Sequence, residues 1–417
     1  MSRLHVKYLL VGGGLASSAA AEAIRALDAN GSILMLGQEP VRPYHRSPLS
    51  KSFMRRECSR AELFAREPEW FNANGVELRT GRRVAHLDVG RRTASIDNGD
   101  EISYDQLLLA TGAAARHLTI PGAQLQNVFH LRTLGDAEML QNAVAKAKNE
   151  GRGRATIVGG GLLGLELAST LTGMGLTIDL IVGDEHPWKN IVGETTGRFL
   201  TRHLQSKYVN VHVGQRPMRL EGDGRVQRVV LPEGQPIGCD FVVAAIGSIV
   251  PRDLLRGTPI AAEKAILADA RCRTNVDAVY AAGDCAAVFD PLFGKHRWID
   301  HWENAIVTGR IAGTNMAGGD ARYDVVNTFA SEVFDLTLTV WGSPKHVERR
   351  LLRGAPAAET PDFAEIGIAA DGKVSQVVAM NGSKEHAALC ELVRTRANVT
   401  GEEDALRDAA MALPSIL

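Results

Sequence analysis

No two of the five cysteines (Cys58, Cys239, Cys272, Cys285 and Cys390) are spaced as Cys-x-x-Cys, and none stands near histidines at metal-ligand spacing. A closely spaced dithiol relay is thereby excluded, and so is a cysteine–histidine metal centre. No apolar run reaches the roughly 18 residues that a membrane-spanning helix needs. The amino terminus shows no basic stretch followed by a long apolar one and a cleavage site. It reads directly into a strand, and the expected compartment is the cytoplasm. Neither sign of charge is in excess: 47 Lys and Arg against 48 Asp and Glu leave a formal net charge of −1. No overall field therefore points to nucleic acid or to a membrane. There is no low-complexity tract and no Ser/His/Asp constellation.

What is present is an ordinary globular composition, 45% apolar and 23% charged over 417 residues, long enough for about three domains. Residues 6–11 form a short apolar strand candidate. Gly12-Gly13-Gly14 and an alanine-rich helix former at 16–27 follow. Residues 32–36 give a second strand and complete a βαβ opening. The same order returns as a strand at 155–158, Gly159-Gly160-Gly161, a helix at 162–172 and a strand at 177–182. Two such openings predict two dinucleotide-binding folds. Between them, 76–80, 83–88 and 93–97 read as short strands with turns such as Asn98-Gly99. Residues 106–110 form a near-continuous apolar strand ending in Thr111-Gly112. Gly151-Arg152-Gly153-Arg154 reads as the linker into the second opening. Strands at 241–246, ending in Gly247, and at 278–282, leading into Gly283-Asp284, follow. From about Arg322 the character changes to antiparallel strands at 337–341, 364–369 and 375–380, with a closing helix at 384–396.

The glycine turns carry the first chemical signal. Gly12 and Gly14 stand at Gly-x-Gly spacing: the first allows the tight turn, and the second lets backbone amides approach a pyrophosphate. The helix that follows turns its positive end, worth about half a charge, toward the phosphates. Ser17 takes the third glycine position and is small enough for close helix–strand packing. Glu39, beyond the second strand, can accept hydrogen bonds from an adenine-ribose diol. Alone, this turn is also compatible with a glycine-rich loop that binds nothing. The second opening carries Gly159, Gly161 and Gly164, the full Gly-x-Gly-x-x-Gly, followed by Glu166. Two matches in strand–turn–helix context are far harder to assign to accident, so one fold can hold FAD and the other NAD(P). The strand ending in Val182 has no acidic residue where NAD is usually marked. Asp184 and Glu185 follow just beyond; they would repel a 2′-phosphate, and no arginine stands beside them. NADH is therefore the expected donor, while His186 and Lys189 keep NADPH open.

Further segments match a known family in order and spacing. The run from Glu39 through Pro43-Tyr44-His45-Arg46 to Leu49-Ser50-Lys51 resembles the E-x-x-x-P-Y-x-R-x-x-L-S-K segment of the ferredoxin reductases of Rieske dioxygenase and cytochrome P450 systems, the putidaredoxin-reductase-like family. Ala110-Thr111-Gly112 is similar to that family's ATG turn, and Leu131-Arg132-Thr133 with Asp136 to its L-R-T-x-x-D element. Ala282-Gly283-Asp284-Cys285 resembles its second FAD motif. The stretch from Asp300 through Trp302 to Ala305 resembles its E-x-W-x-x-A stretch. Residues 283–316 also resemble the matching part of apoptosis-inducing factor. Ser47 and Val182 depart from the family pattern, as does Ser17.

The implied fold class is α/β: two Rossmann-like, doubly wound, three-layer ββα dinucleotide-binding domains of the glutathione-reductase kind, with a C-terminal α+β domain. The expected boundaries are 1–118 and 248–322 for a discontinuous FAD domain, 119–247 for an NAD(P) domain, and 323–417 for an interface domain. The resemblance implies that Lys51 lies beside flavin N5 and that Glu166 reaches the same edge, so the two are expected to pair. Each would make the other's burial tolerable. On its own Lys51 would be a solvated lysine, and Glu166 an exposed helix residue or a structural ion pair. Trp302 is implied to pack near the isoalloxazine, against the alternative of plain core. Asp284 is implied to bind the ribityl or phosphate region, against that of capping a helix. Arg46 and Arg132 are the cationic candidates near the cofactor. Leu15, Ala16, Val84, Ala110, Thr111 and Gly112, together with Leu162, Leu163, Asp184, Gly247 and Gly283, complete the expected cofactor contacts.

The leading function is an NAD(P)H–ferredoxin reductase with FAD that feeds single electrons to a small iron–sulfur protein, as a monomer or homodimer, with no metal of its own. An NADH oxidoreductase or oxidase resembling apoptosis-inducing factor, and an NADH-sensing redox protein, are the alternatives. An acidic ferredoxin calls for a basic patch. Arg349, Arg350 and Arg353 form one candidate cluster; Arg79, Arg82, Arg83, Arg91 and Arg92 form another.

Overall fold

The computed structural model describes residues 3–150, 152–356, 361–381 and 385–413. Gly151 of the expected linker and Lys384 of the expected closing helix lie outside the described residues. The chain divides into two compact units. One comprises Met1–Ser47, Cys58–Ala114 and Ser248–Asp324, and the other Pro48–Glu57, Ala115–Gly247 and Val325–Leu417.

In the first unit the strands Val76–Thr80, Ile33–Gly37, Arg3–Val11 and Glu101–Leu109 lie side by side in parallel. Val279–Ala281 joins Glu101–Leu109 on its far side, also in parallel. The antiparallel strands Thr93–Ile96 and Val84–Asp88 extend the sheet from the other half of Glu101–Leu109. Leu9, Leu10, Leu34, Met35, Leu107 and Leu108 are wholly buried. Parallel strands covered on both faces need such apolar runs. The helices Leu15–Leu27 and Trp302–Met316 pack so closely that a Cβ on Gly309 would lie 2.2 Å from the carbonyl oxygen of Ala16, and one on Gly313 2.3 Å from that of Ala20.

The second unit holds a five-stranded parallel sheet in the order Asn210–Val213, Thr177–Val182, Arg154–Val158, Phe241–Ala244, Val128–His130. A small antiparallel sheet of Arg219–Glu221, Arg228–Val230 and Ile237–Gly238 is inserted in it and is invisible to the periodicity of the sequence. Its strands of two or three residues are too short to show an alternation. The same unit carries a five-stranded antiparallel sheet, Thr328–Val333, Leu336–Gly342, Val374–Met380, Phe363–Ile368 and Arg349–Gly354, backed by the helix His386–Arg394. Both units thus contain a dinucleotide-binding sheet, and the C-terminal part is α+β as expected.

Glu365 ties the antiparallel sheet to the parallel one. The helix Glu194–Ser206 begins after Gly193, which offers no side-chain cap. Glu365 reaches across instead. It accepts from Gly193 N at 2.8 Å and from Thr196 Oγ1 at 2.5 Å, and it pairs with Arg350 at 2.5 Å. A carboxylate at a helix amino end satisfies orphan amides and complements the dipole.

Candidate functional site

Each unit closes the strand that opens its βαβ motif with a turn that favours glycine. In the first unit Gly12 has φ +132°, its N donates to Leu36 O at 2.8 Å, and an added Cβ would fall 1.9 Å from the carbonyl oxygen of Ala110. In the second, Gly159 has φ +123°, its N donates to Ile181 O at 2.8 Å, and an added Cβ would fall 2.2 Å from the carbonyl oxygen of Ala245. Gly14 and Gly161 then stand at the amino ends of the helices Leu15–Leu27 and Leu162–Gly173, with no side-chain cap and nothing within 4 Å of an added Cβ. Amides left open at a helix start, beside a space that no side chain fills, suit a pyrophosphate. Gly164 completes the second turn, since its Cβ would lie 1.9 Å from Gly159 O. The two turns sit where the strand order reverses, between Arg3–Val11 and Glu101–Leu109 in one unit and between Arg154–Val158 and Phe241–Ala244 in the other. Doubly wound sheets take their ligands at that position. The residues present therefore fit a dinucleotide in each unit.

In the first unit Glu39 accepts from the Tyr44 hydroxyl at 2.7 Å and from Arg46 Nη2 at 2.5 Å. A carboxylate offers about four acceptor positions, so capacity for a diol remains. Asp284 lies within electrostatic reach of Arg46. The expected helix after Gly283 is absent: Gly283–Cys285 makes a single 3-10 turn that leads into the strand Ala286–Asp290, so Asp284 caps no α-helix. Gly283, at φ +72°, packs on Ala16 at the start of the first helix. Ala110 is buried; Thr111 and Gly112 (φ +71°) follow it at the strand's carboxyl end, and Val84 is buried at the start of its own strand. Trp302 opens the helix Trp302–Met316, 36% exposed and edge-on to His45, so it is not plain core. Burial pushes the His45 imidazole down and the neighbouring Glu303 carboxyl up, which favours the neutral form of both.

In the second unit Lys51 Nζ lies 2.6 Å from Glu166 Oε1, the pairing anticipated from the sequence. Two serines complete it. Ser50 Oγ donates to Glu166 Oε2 at 2.5 Å, and Ser331 Oγ donates to Oε1. Ser331 also lies 3.4 Å from Lys51 Nζ. Glu166 is 7% exposed, and its charge is met by one ammonium and two hydroxyls. Ser50 carried a signal, being part of the family segment, whereas nothing in the sequence singled out Ser331. Arg132, Thr133 and Asp136 form a capping box: Thr133 Oγ1 accepts from Asp136 N, and the Asp136 carboxylate accepts from Thr133 N and Arg132 N. The L-R-T-x-x-D element thus has a structural cause, the start of the helix Leu134–Asn149. Leu162 and Leu163 are the first residues of the helix after the second glycine turn, and Gly247 (φ +93°) follows the Phe241–Ala244 strand.

A family model described as pyridine nucleotide-disulphide oxidoreductase matches residues 6–309. The chain belongs to this family. As a member it is a flavoprotein oxidoreductase working with a pyridine nucleotide. It is 30% identical to the biphenyl dioxygenase system ferredoxin–NAD(+) reductase component of Paraburkholderia xenovorans, over 98% of this chain and 97% of that one. With the rubredoxin-NAD(+) reductase of Pseudomonas putida it shares 28% identity, over 82% and 88%. Its fold matches that of a putidaredoxin reductase solved in covalent complex with putidaredoxin: TM-score 0.92, 25% identity, covering 99% of this chain and 98% of the other. The disulphide of the family description has no counterpart here, since none of the five cysteines is joined in a disulphide.

Two expectations need correction. The cluster Arg349, Arg350 and Arg353 is no open cationic face. The residues lie along the strand Arg349–Gly354, where side chains alternate between faces. Arg349 pairs with Glu403 and Arg350 with Glu365. Arg353, 1% exposed, holds Glu385 through two bonds and donates to the carbonyls of Leu406, Asp408 and Met411. In the other cluster Arg79 and Arg92 are paired with Glu77 and Asp277, while Arg82, Arg83 and Arg91 are exposed. The second correction concerns Asp184, which does have an arginine beside it. Arg216 Nη2 lies 3.7 Å from its carboxylate, brought there by the loop that follows the strand Asn210–Val213. Among the described residues no helix is long and apolar enough to cross a membrane, and no group of histidine, cysteine and carboxylate residues could hold a metal ion.

Proposed function

We propose that this chain takes hydride from NADH onto FAD and passes the electrons one at a time to a small [2Fe–2S] ferredoxin. The observation that carries this reading is the pair of glycine turns, each closed so tightly on a neighbouring carbonyl that no side chain fits. The names of the relatives, a ferredoxin–NAD(+) reductase component among them, support the acceptor class and NADH as the donor. In this reading residues 1–118 and 248–322 bind FAD, 119–247 bind the nicotinamide dinucleotide, and 323–417 form an interface domain.

Bound FAD supplies the conversion of a two-electron donor into one-electron steps. The chain supplies position and charge. Gly12, Gly14, Leu15 and Ala16 present amides to one pyrophosphate; Gly159, Gly161, Leu162 and Leu163 present them to the other. Glu39 accepts from the ribose diol, while Arg46 and Asp284 flank the same cofactor. Lys51, held by Glu166, offers an ammonium that stabilises negative charge developing in the hydride step. Trp302 would pack near the isoalloxazine.

Anaerobic stopped-flow mixing of the yellow protein with NADH tests the first half: rapid bleaching at the flavin band is expected, and a protein that takes up no FAD or stays yellow overturns the reading. Reduction of cytochrome c that needs added ferredoxin and falls with salt tests the second half. Fast oxygen consumption with NADH alone would replace the ferredoxin with oxygen. Slow turnover with every acceptor, together with NADH-dependent dimerisation, would replace the enzyme with a sensor.

A further inference from the structure

The carboxyl edge of the second unit's parallel sheet holds a guanidinium that no role above uses. The pairing of Thr177–Val182 with Asn210–Val213 runs on past both strands: Gln215 N donates to Val182 O at 3.2 Å and Gly214 N to Asp184 O at 2.8 Å. This fixes Arg216 beside Gly183. A Cβ built on Gly183 would lie 2.9 Å from Arg216 Nε and 3.2 Å from its Cζ, so the arginine rests on the glycine's bare face. Its nearest carboxylate is Asp184, at 3.7 Å. Lys189, close by in the chain, is paired with Glu185. At the strand end itself stands Val182, 2% exposed and packed against Gly160.

In a βαβ dinucleotide fold this is where the adenine ribose lies. A carboxylate at the strand end takes the 2′-hydroxyl, whereas an arginine nearby accommodates a 2′-phosphate. Here the strand end has no carboxylate, and the first acidic side chain beyond it is already matched by a guanidinium. We propose that Arg216 is a specificity-determining residue that admits the 2′-phosphate of NADPH, with Asp184 as its counter-ion when that phosphate is absent. The proposal rests on reading the second unit as the nicotinamide-dinucleotide site. A guanidinium binds phosphate through paired, charge-assisted hydrogen bonds. The Arg216 and Asp184 side chains are 77% and 45% exposed, and so open a pair is weak enough to yield to a dianion. Gly183 is part of the device, because any side chain there would push Arg216 away.

Calorimetric titration of the FAD-loaded protein with 5′-AMP and with 2′,5′-ADP, which differ only in the 2′-phosphate, isolates the interaction. The wild type is expected to bind 2′,5′-ADP more tightly than 5′-AMP. Arg216→Ala and Gly183→Val should each weaken 2′,5′-ADP by about ten- to a hundredfold, leaving 5′-AMP unchanged. Arg216→Ala should also lower the NADPH-to-NADH ratio of kcat/KM in step. If NADH bleaches the protein normally but 2′,5′-ADP binds no better than 5′-AMP, or if its affinity survives Arg216→Ala, the assignment of Arg216 is overturned alone. If neither nucleotide binds and NADH fails to bleach, the reading of the second unit falls with it.

Discussion

At Glu166 an ammonium and two hydroxyls converge on one carboxylate. An ionised group this deeply buried persists only when its acceptor positions are filled, so Ser50 and Ser331 determine where Glu166 points and therefore where Lys51 is held. The proposed role of Lys51 is electrostatic, and removing one preorganised donor of this kind costs roughly a hundredfold or more in well-studied sites. Lys51→Ala is accordingly expected to slow single-turnover bleaching by NADH by at least about tenfold. Glu166→Gln should act in the same direction. Ser50→Ala combined with Ser331→Ala should give a smaller loss that Lys51→Ala masks, because all of them act through one ammonium. An unchanged single-turnover rate in Lys51→Ala removes the role. Lys51 and Glu166 could be read in the sequence because each sits in a motif. Ser331 could not, because it reaches Glu166 from a strand 165 residues away, and a lone serine has no pattern.

Among the elements, those with strong periodicity or a glycine turn were legible: the strand Thr177–Val182 and the helices Leu15–Leu27 and Leu162–Gly173 stand within a residue of where the sequence puts them. The helix Glu194–Ser206 was not, because its amino-end partner is Glu365, supplied by the distant antiparallel sheet rather than by a neighbouring capping residue. The two glycine turns are geometrically alike, yet the proposed ligands differ, and this separates their mutants. Gly12→Ala drives a methyl into Ala110 O and should yield protein with markedly less FAD per chain, read from the ratio of flavin to protein absorbance. Gly159→Ala meets Ala245 O at 2.2 Å in the other unit. It should purify yellow but lose bleaching by NADH. Beyond the steric clash, alanine at a φ above +120° is strained whatever the space. Equal FAD content in both variants would undo the assignment of the two turns.

Across the whole molecule the sequence misled where side chains near each other in the chain part company in space. Arg349, Arg350 and Arg353 look like one patch, but a strand's alternation sends them to separate carboxylates. Arg216 and Asp184, far apart in the chain, meet. The thiols are the opposite case, since their spacing already excluded a relay. Burial pushes the Cys239 thiol up to about 12 and raises those of Cys272, Cys285 and Cys390 as well. A thiol is nucleophilic only as thiolate, and a group whose pKa is raised stays protonated until pH climbs past that higher value, so at neutral pH these four are held in the unreactive form. A family member described by its disulphide chemistry should here run without any. Arsenite, which bridges paired thiols, is expected to leave NADH-dependent turnover unaffected. Brief alkylation at neutral pH should mark only the partly exposed Cys58, as seen by peptide mass spectrometry, again without loss of rate. Inhibition by arsenite that dithiothreitol reverses would put a dithiol back in the electron path.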